Sequence, residues 1–294
     1  MERNNMLWRG TAYGGQFRIL AVVSTQTAQT ARDLHDLSPI NALLMGKMIS
    51  AAAMLSLDLK AENSEVTLRI EGNGKLRGAM VICTQGGDIR GYTYEPHLYF
   101  EQAEENFHPV KHLGTGTLSV IHNIPDKKPT LGFTALEEGE VAQNLARYYE
   151  TSEQIPTAVN LGVLIDKNAK IRASGGFIIQ QLPMAQPLYA DRIRENLART
   201  PNVSDLMDMD LSLPDILSRF VFPDPEPELH EAHPVSYHCN CSRERFERAL
   251  KLLGRDELKE MLDGIDPECH FCNKSYHFSG GDIARIISSL KVQK

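Results

Sequence analysis

The chain has 294 residues, 42% of them hydrophobic and 23% charged, with a formal charge of -7 and an isoelectric point near 5.8. That length exceeds the roughly 100 to 200 residues of a typical domain and predicts one large domain with a smaller companion. The acidic balance argues against a protein built mainly to grip phosphate backbones, so nucleic acid is not expected as a partner.

The opening stretch MERNNMLWRGTAYGG carries charge but no apolar run followed by a small-residue cleavage site, which makes the cytoplasm the expected compartment. Gln16 to Ser24 is rich in β-branched and aromatic residues and reads as a strand. After it, apolar residues at helical spacing run to Leu57, with Ser38 as N-cap and Pro39 at the first helical position. The most apolar segment, Ile40 to Leu59, contains Lys47 and Asp58 and falls short of about eighteen uninterrupted apolar residues, so it predicts a buried helix and not a membrane span.

Alternating runs at 65–84 and 88–96 predict strands, with Asn73-Gly74 as a hairpin turn because both residues accept positive φ. The same placement excludes Gly72-x-Gly74 as a nucleotide loop, since no strand-to-helix transition follows it. A second antiparallel pair is expected from 116–124 and 128–137, then a helix returning to a strand over 139–165, then a strand from Ile171 to Pro183. This is an α+β pattern of antiparallel β-sheets with packed helices.

Beyond Pro183 the character changes. Residues 189–200 can form a short amphipathic helix, and from Pro201 to Glu231 eight acidic residues face one basic residue, Arg219. The segment also carries Leu206, Met207, Met209, Leu211, Leu213, Ile216, Leu217, Phe220, Val221 and Phe222, too many apolar side chains to leave wet without consequence. Either it is a hinge packed on its neighbours or its packing is meant to fail.

Four of the five cysteines, Cys239, Cys241, Cys269 and Cys272, lie within 34 residues. Persistent structural disulfides are not expected in a reducing compartment, which moves clustered cysteines toward metal or redox chemistry. Two close pairs separated by a helical run, 242–264, supply four thiolates to one tetrahedral zinc, one ion per chain. A thioredoxin-type dithiol remains the alternative for Cys269 and Cys272, although the βαβ setting of that motif is missing. His238, His270 and His277 read as solvated or outer groups, and Cys83 as a buried small hydrophobe. A closed four-thiolate site has no open position for substrate, and no nucleophile elbow, metalloprotease motif or P-loop is present. A switch is therefore expected in place of an enzyme. The other use of such a site, a zinc ribbon for nucleic acid, meets a helix from Ser242 to Asp263 whose acidic and basic residues balance.

The segments CNCSRERFERAL (Cys239 to Leu250), CHFCNKSYHF (Cys269 to Phe278), YYETSEQIPT (Tyr148 to Thr157) and GGFIIQQLP (Gly175 to Pro183) together resemble the thirty-three-kilodalton heat-shock proteins, a family of redox-regulated chaperones. The resemblance implies an N-terminal α+β chaperone core at 1–182, a metastable helical linker at 183–234 and a small zinc-binding domain at 235–294. It further implies that Cys239, Cys241, Cys269 and Cys272 bind zinc when reduced and form disulfides within each close pair when oxidised. Zinc then leaves, the linker unfolds, and an ATP-independent holdase, dimeric when oxidised, binds unfolding client proteins.

Overall fold

Alternation of buried and open positions sets the strands, and one largely apolar helix decides how they stack. The computed structural model describes residues 5–102, 107–137 and 140–290. The chain divides into two compact units, Met1–His238 and Cys239–Lys294.

In the first unit, β1 (Met6–Ala12) and β2 (Phe17–Val23) lead into α1 (Thr25–Leu34) and α2 (Pro39–Ser56). Next come β3 (Glu65–Gly72), β4 (Gly78–Thr84), β5 (Asp88–Thr93), β6 (Gly116–Asn123) and β7 (Thr130–Ala135). α3 (Val141–Tyr148), a π-turn at Tyr149–Glu153, β8 (Thr157–Ile165) and β9 (Ile171–Gln181) follow. Then α4 (Pro187–Arg199), α5 (Val203–Asp208), α6 (Leu213–Ile216), β10 (Glu228–Pro234) and β11 (Ser236–Tyr237) complete it. One sheet has the order β10-β1-β2-β9-β8 and is antiparallel throughout; the other has the order β11-β5-β4-β3-β6-β7, with only β11 and β5 parallel. The architecture is α+β, as the sequence pattern predicts.

Every residue of α2 except Pro39 and Lys47 is buried, because the helix runs between the two sheets. It is long and apolar enough to cross a membrane, and its apolar surface is instead covered all round by protein. The Lys47 ammonium is ion-paired with Glu140, the residue that also caps the start of α3 through a capping box. Ser38 and Pro39 hold their expected N-cap and first-turn places.

Period-two alternation gives the first sheet two apolar faces. Leu20, Val22 and Ile178 face α2, whereas Ile19, Ala21, Phe177 and Ile179 join a separate core on the opposite face. That second core is closed by the acidic, apolar segment: Ile193 of α4, Val203, Leu206 and Met207 of α5, Ile216 of α6 and Phe222 after it are buried there. Residues 187–221 are thus largely helical and packed. The charged, proline-rich stretch after them returns as β10, an edge strand on β1 with Glu231 opposite Trp8 and Glu228 opposite Thr11.

Two local expectations need correction. Strands β3 and β4 do form a hairpin, but the left-handed positions are Arg77 (φ 57°) and Gly78 (φ 130°), not Asn73 and Gly74. Asn73 and Gly74 bond the 112–115 loop instead, the Gly74 amide to the Leu113 carbonyl at 2.7 Å, and a Cβ on Gly74 would lie 2.3 Å from the His112 oxygen. Glycine is required there for close approach and not for its φ. In the second unit the helical run 242–264 is not continuous. Gly254 (φ 90°) divides it into α7 (Arg243–Leu253) and α8 (Arg255–Lys259), and α9 (Gly280–Ser289) closes the unit.

Candidate metal centre

The second unit has little to hold it together. Among the described residues its core consists of Leu250, Leu258, Tyr276, Phe278, Ile283 and Ile286, six buried apolar side chains in a unit of 56 residues. Domains of this size with so small a core usually need a metal or disulfides.

The four cysteines are brought together at one side of that core. Cys239 and Cys241 sit just ahead of α7, whose N-cap Ser242 accepts a hydrogen bond from the Arg245 amide at 3.3 Å. Arg245 also donates to the Asn240 carbonyl at 3.1 Å, tying down the residue between the two cysteines. Arg243 reaches the other way, to the His277 carbonyl (3.3 Å), the Asp282 carboxylate (2.9 Å) and the face of Phe278. The Ser-Arg-Glu-Arg run therefore aligns the first pair with the second.

Cys269 and Cys272 occupy the tip of a short hairpin closed by bridges between Ile265 and Phe278 and between Glu268 and Ser275. The Cys272 and Asn273 amides both donate to the Cys269 carbonyl, at 3.1 and 2.7 Å, and Asn273 takes the left-handed conformation (φ 55°) that the tight turn demands.

All four sulfurs lie within 4.8 Å of one another, with Cys239 to Cys269 at 3.7 Å and Cys241 to Cys272 at 3.4 Å. A tetrahedron of thiolates about 2.3 Å from a central zinc has edges of about 3.8 Å, so the donor set fits one tetrahedral ion. Electrostatics point the same way. Burial pushes the Cys239 and Cys272 thiols up, and at Cys241 the same burial is outweighed by hydrogen bonds from Tyr276 and the other cysteines, which pull it below its ordinary value. Four thiolates at this spacing need a cation among them.

Tyr276 was not singled out by its sequence. Its hydroxyl lies 3.1 Å from the Cys241 sulfur, while its ring packs on Phe246 in the small core. Outer partners of this kind orient a ligand and tune its basicity. Tyr276→Phe is accordingly expected to lower zinc affinity about ten- to hundredfold in competition with a chelator, with α7 and α9 intact by circular dichroism. An unchanged affinity would make the hydroxyl a bystander.

The remaining cysteine and the histidines stand apart. Cys83 is fully buried in β4, and burial pushes its thiol up to about 12. No histidine joins the four-sulfur group; His277 is exposed and bonds Asp266 at 2.8 Å, and His238 and His270 are exposed as well.

The Hsp33 protein family model matches residues 5–279. The 33 kDa chaperonin of Acetivibrio thermocellus is 36% identical over 290 residues, which cover 97% of this chain and 98% of that protein. The 33 kDa chaperonin of Ruminiclostridium cellulolyticum is 36% identical over 283 residues, covering 95% and 96%. Among solved structures, that of the 33 kDa chaperonin (heat shock protein 33 homolog) of Thermotoga maritima superimposes with a TM-score of 0.89 at 29% identity, covering 97% of this chain and 98% of that one. Likeness in sequence and in fold thus extends through both units, and the chain belongs to the Hsp33 family.

Proposed function

We propose that the protein is an ATP-independent holdase silenced by reduced, metal-bound cysteines and released by their oxidation. The observation that carries this reading is the joint presence of a four-thiolate site in a unit of minimal core and, earlier in the chain, an apolar sheet face covered by one 13-residue helix, α4, and two much shorter ones. α5 has six residues and α6 four. Helices of that length do not persist on their own, so their order depends on staying docked.

Zinc, when bound at Cys239, Cys241, Cys269 and Cys272, holds the four thiolates deprotonated and fastens the 265–278 hairpin to the start of α7. Hydrogen peroxide or hypochlorous acid takes two electrons from each close pair, forming the Cys239–Cys241 and Cys269–Cys272 disulfides while the oxidant is reduced to water or chloride. The sulfurs then no longer serve as ligands. A structural zinc contributes on the order of 10 to 16 kcal/mol of apparent folding free energy, as much as the whole stability of many domains. Six buried side chains do not replace that, so the second unit unfolds. The linker, 183–234, follows, helped by the mutual repulsion of its acidic residues. Ile19, Phe177 and Ile179, with the apolar residues of the linker itself, then become the surface for unfolding clients.

In this reading the protein works in the cytoplasm, carries one zinc per chain when reduced, forms a homodimer when oxidised, catalyses no reaction, and takes neither nucleic acid nor membrane as partner. The test is to follow zinc release with a chromogenic chelator as peroxide is added at heat-shock temperature, with aggregation of a heat-labile client in the same samples. About one zinc per chain should leave as suppression appears, and thiol reductant with zinc should reverse both. Zinc loss without any change in client aggregation would leave the site merely structural.

A further inference from the structure

Thioether sulfur reacts with the same oxidants as thiolate, taking up one oxygen to become a sulfoxide. The helical cover on the first sheet holds two methionines in opposite settings: Met209 is 72% exposed and Met207 is 1% exposed.

Met207 is seated where the sheet has no side chain. A Cβ on Gly175 of β9 would lie 3.1 Å from both Sδ and Cε of Met207. Gly162 of β8 is the ladder partner of Gly175, and a Cβ there would lie 2.7 Å from both the Ser204 amide nitrogen and a Val203 methyl. α5 thus rests on two glycines that face each other across neighbouring strands. The strand beneath Met207 is interior, with Gly175 paired to Val23 on one side and to Gly162 on the other, so it offers no free edge to a new acceptor. A sulfoxide oxygen in that contact would be crowded, and the paired ladder beneath it has no free backbone donor to offer.

We propose that Met207 is a second oxidation site, reached only after the cover has opened, and that its sulfoxide keeps the cover from closing again. This rests on the reading that the cover opens. Peroxide or hypochlorous acid transfers one oxygen atom to the sulfur, which loses two electrons, and the oxidant leaves as water or as chloride with a proton. Thiol reduction and zinc then restore the cysteine site but not the seat of α5. Resetting requires a methionine sulfoxide reductase. Met209, open to solvent throughout, oxidises without regard to the state of the cover and serves as an internal control.

The test has three arms. By peptide mass mapping, Met209 sulfoxide is expected in zinc-loaded protein, and Met207 sulfoxide only in samples that have lost zinc; equal rates at the two positions overturn the proposal. In oxidised wild type returned to dithiothreitol and zinc, the fraction whose 183–227 segment is still cut by protease should match the fraction carrying Met207 sulfoxide, and a lack of correlation overturns it too. Met207→Gln in reduced, zinc-loaded protein places a polar group in the seat without any oxidant. Cleavage there should be roughly ten- to hundredfold faster than in Met207→Leu, as expected for a buried polar group left unpaired. Equal cleavage of the two variants overturns the proposal whatever becomes of the chaperone reading. If instead all three arms behave as expected but zinc loss never suppresses aggregation, the oxidation site stands and the functional reading falls.

Discussion

Gly162→Val is expected to yield a protein that suppresses client aggregation while fully reduced and fully loaded with zinc. Valine suits a strand, so β8 itself should persist. Its side chain, however, starts from a Cβ that would lie 2.7 Å from the Ser204 nitrogen, a backbone atom that cannot swing aside. α5 has to lift. Overpacking of this kind costs about 1 to 3 kcal/mol, which raises the open population roughly five- to hundredfold. Zinc content, aggregation of a heat-labile client and protease cutting within 183–227 should be read on the same sample. If the cover is cut readily but the reduced protein stays silent, the face beneath the helices is not the client surface.

Cys239→Ser approaches the same state from the opposite end. Removing one of four sulfur ligands is expected to drop bound zinc from about one per chain to near zero under a micromolar chelator, since a hydroxyl is a poor replacement for a thiolate. With a core cluster of just Leu250, Leu258, Tyr276, Phe278, Ile283 and Ile286 among the described residues, the second unit should lose the circular dichroism of α7 and α9. Partial activity without oxidant should accompany that loss. A variant that kept full zinc and switched normally would sink the assignment. Together the two variants separate cause from consequence, because Gly162→Val opens the cover with the metal in place and Cys239→Ser removes the metal with the cover's own contacts intact.

Much of the architecture could be read from local signals. Ser38-Pro39 marked the start of α2, alternation marked β3 to β6, and the two close pairs Cys239, Cys241 and Cys269, Cys272 marked the residues that the fold gathers into one four-sulfur cluster. What escaped was non-local. Nothing in PDPEPELHEAHP has the composition of a strand; β10 exists because β1, more than two hundred residues earlier, offers an edge, and edges tolerate charge and proline. Asn73-Gly74 carries the signature of a turn, yet the nearby 112–115 loop claims its backbone. Gly254 could have been read as a break in the 242–264 run, but leucines at helical spacing on both sides masked it. Tyr276 lies within CHFCNKSYHF, and only the fold of the hairpin reveals that its hydroxyl meets Cys241.

The strand pairing of β10 also sets how far the cover can travel. It is fixed at both ends, by β9 up to Gln181 and by β10 from Glu228, with 46 residues between. While β10 stays zipped to β1, those residues open as a lasso and not as a tail. Fully drawn out, its midpoint stands roughly 75 Å from the sheet, enough to reach around a partly unfolded polypeptide. Both anchors keep the loop at a high effective concentration over its own binding face, so reclosure is a first-order event that competes with a bound client. Release of a client would then be set by that competition, at a rate independent of how much chaperone is present.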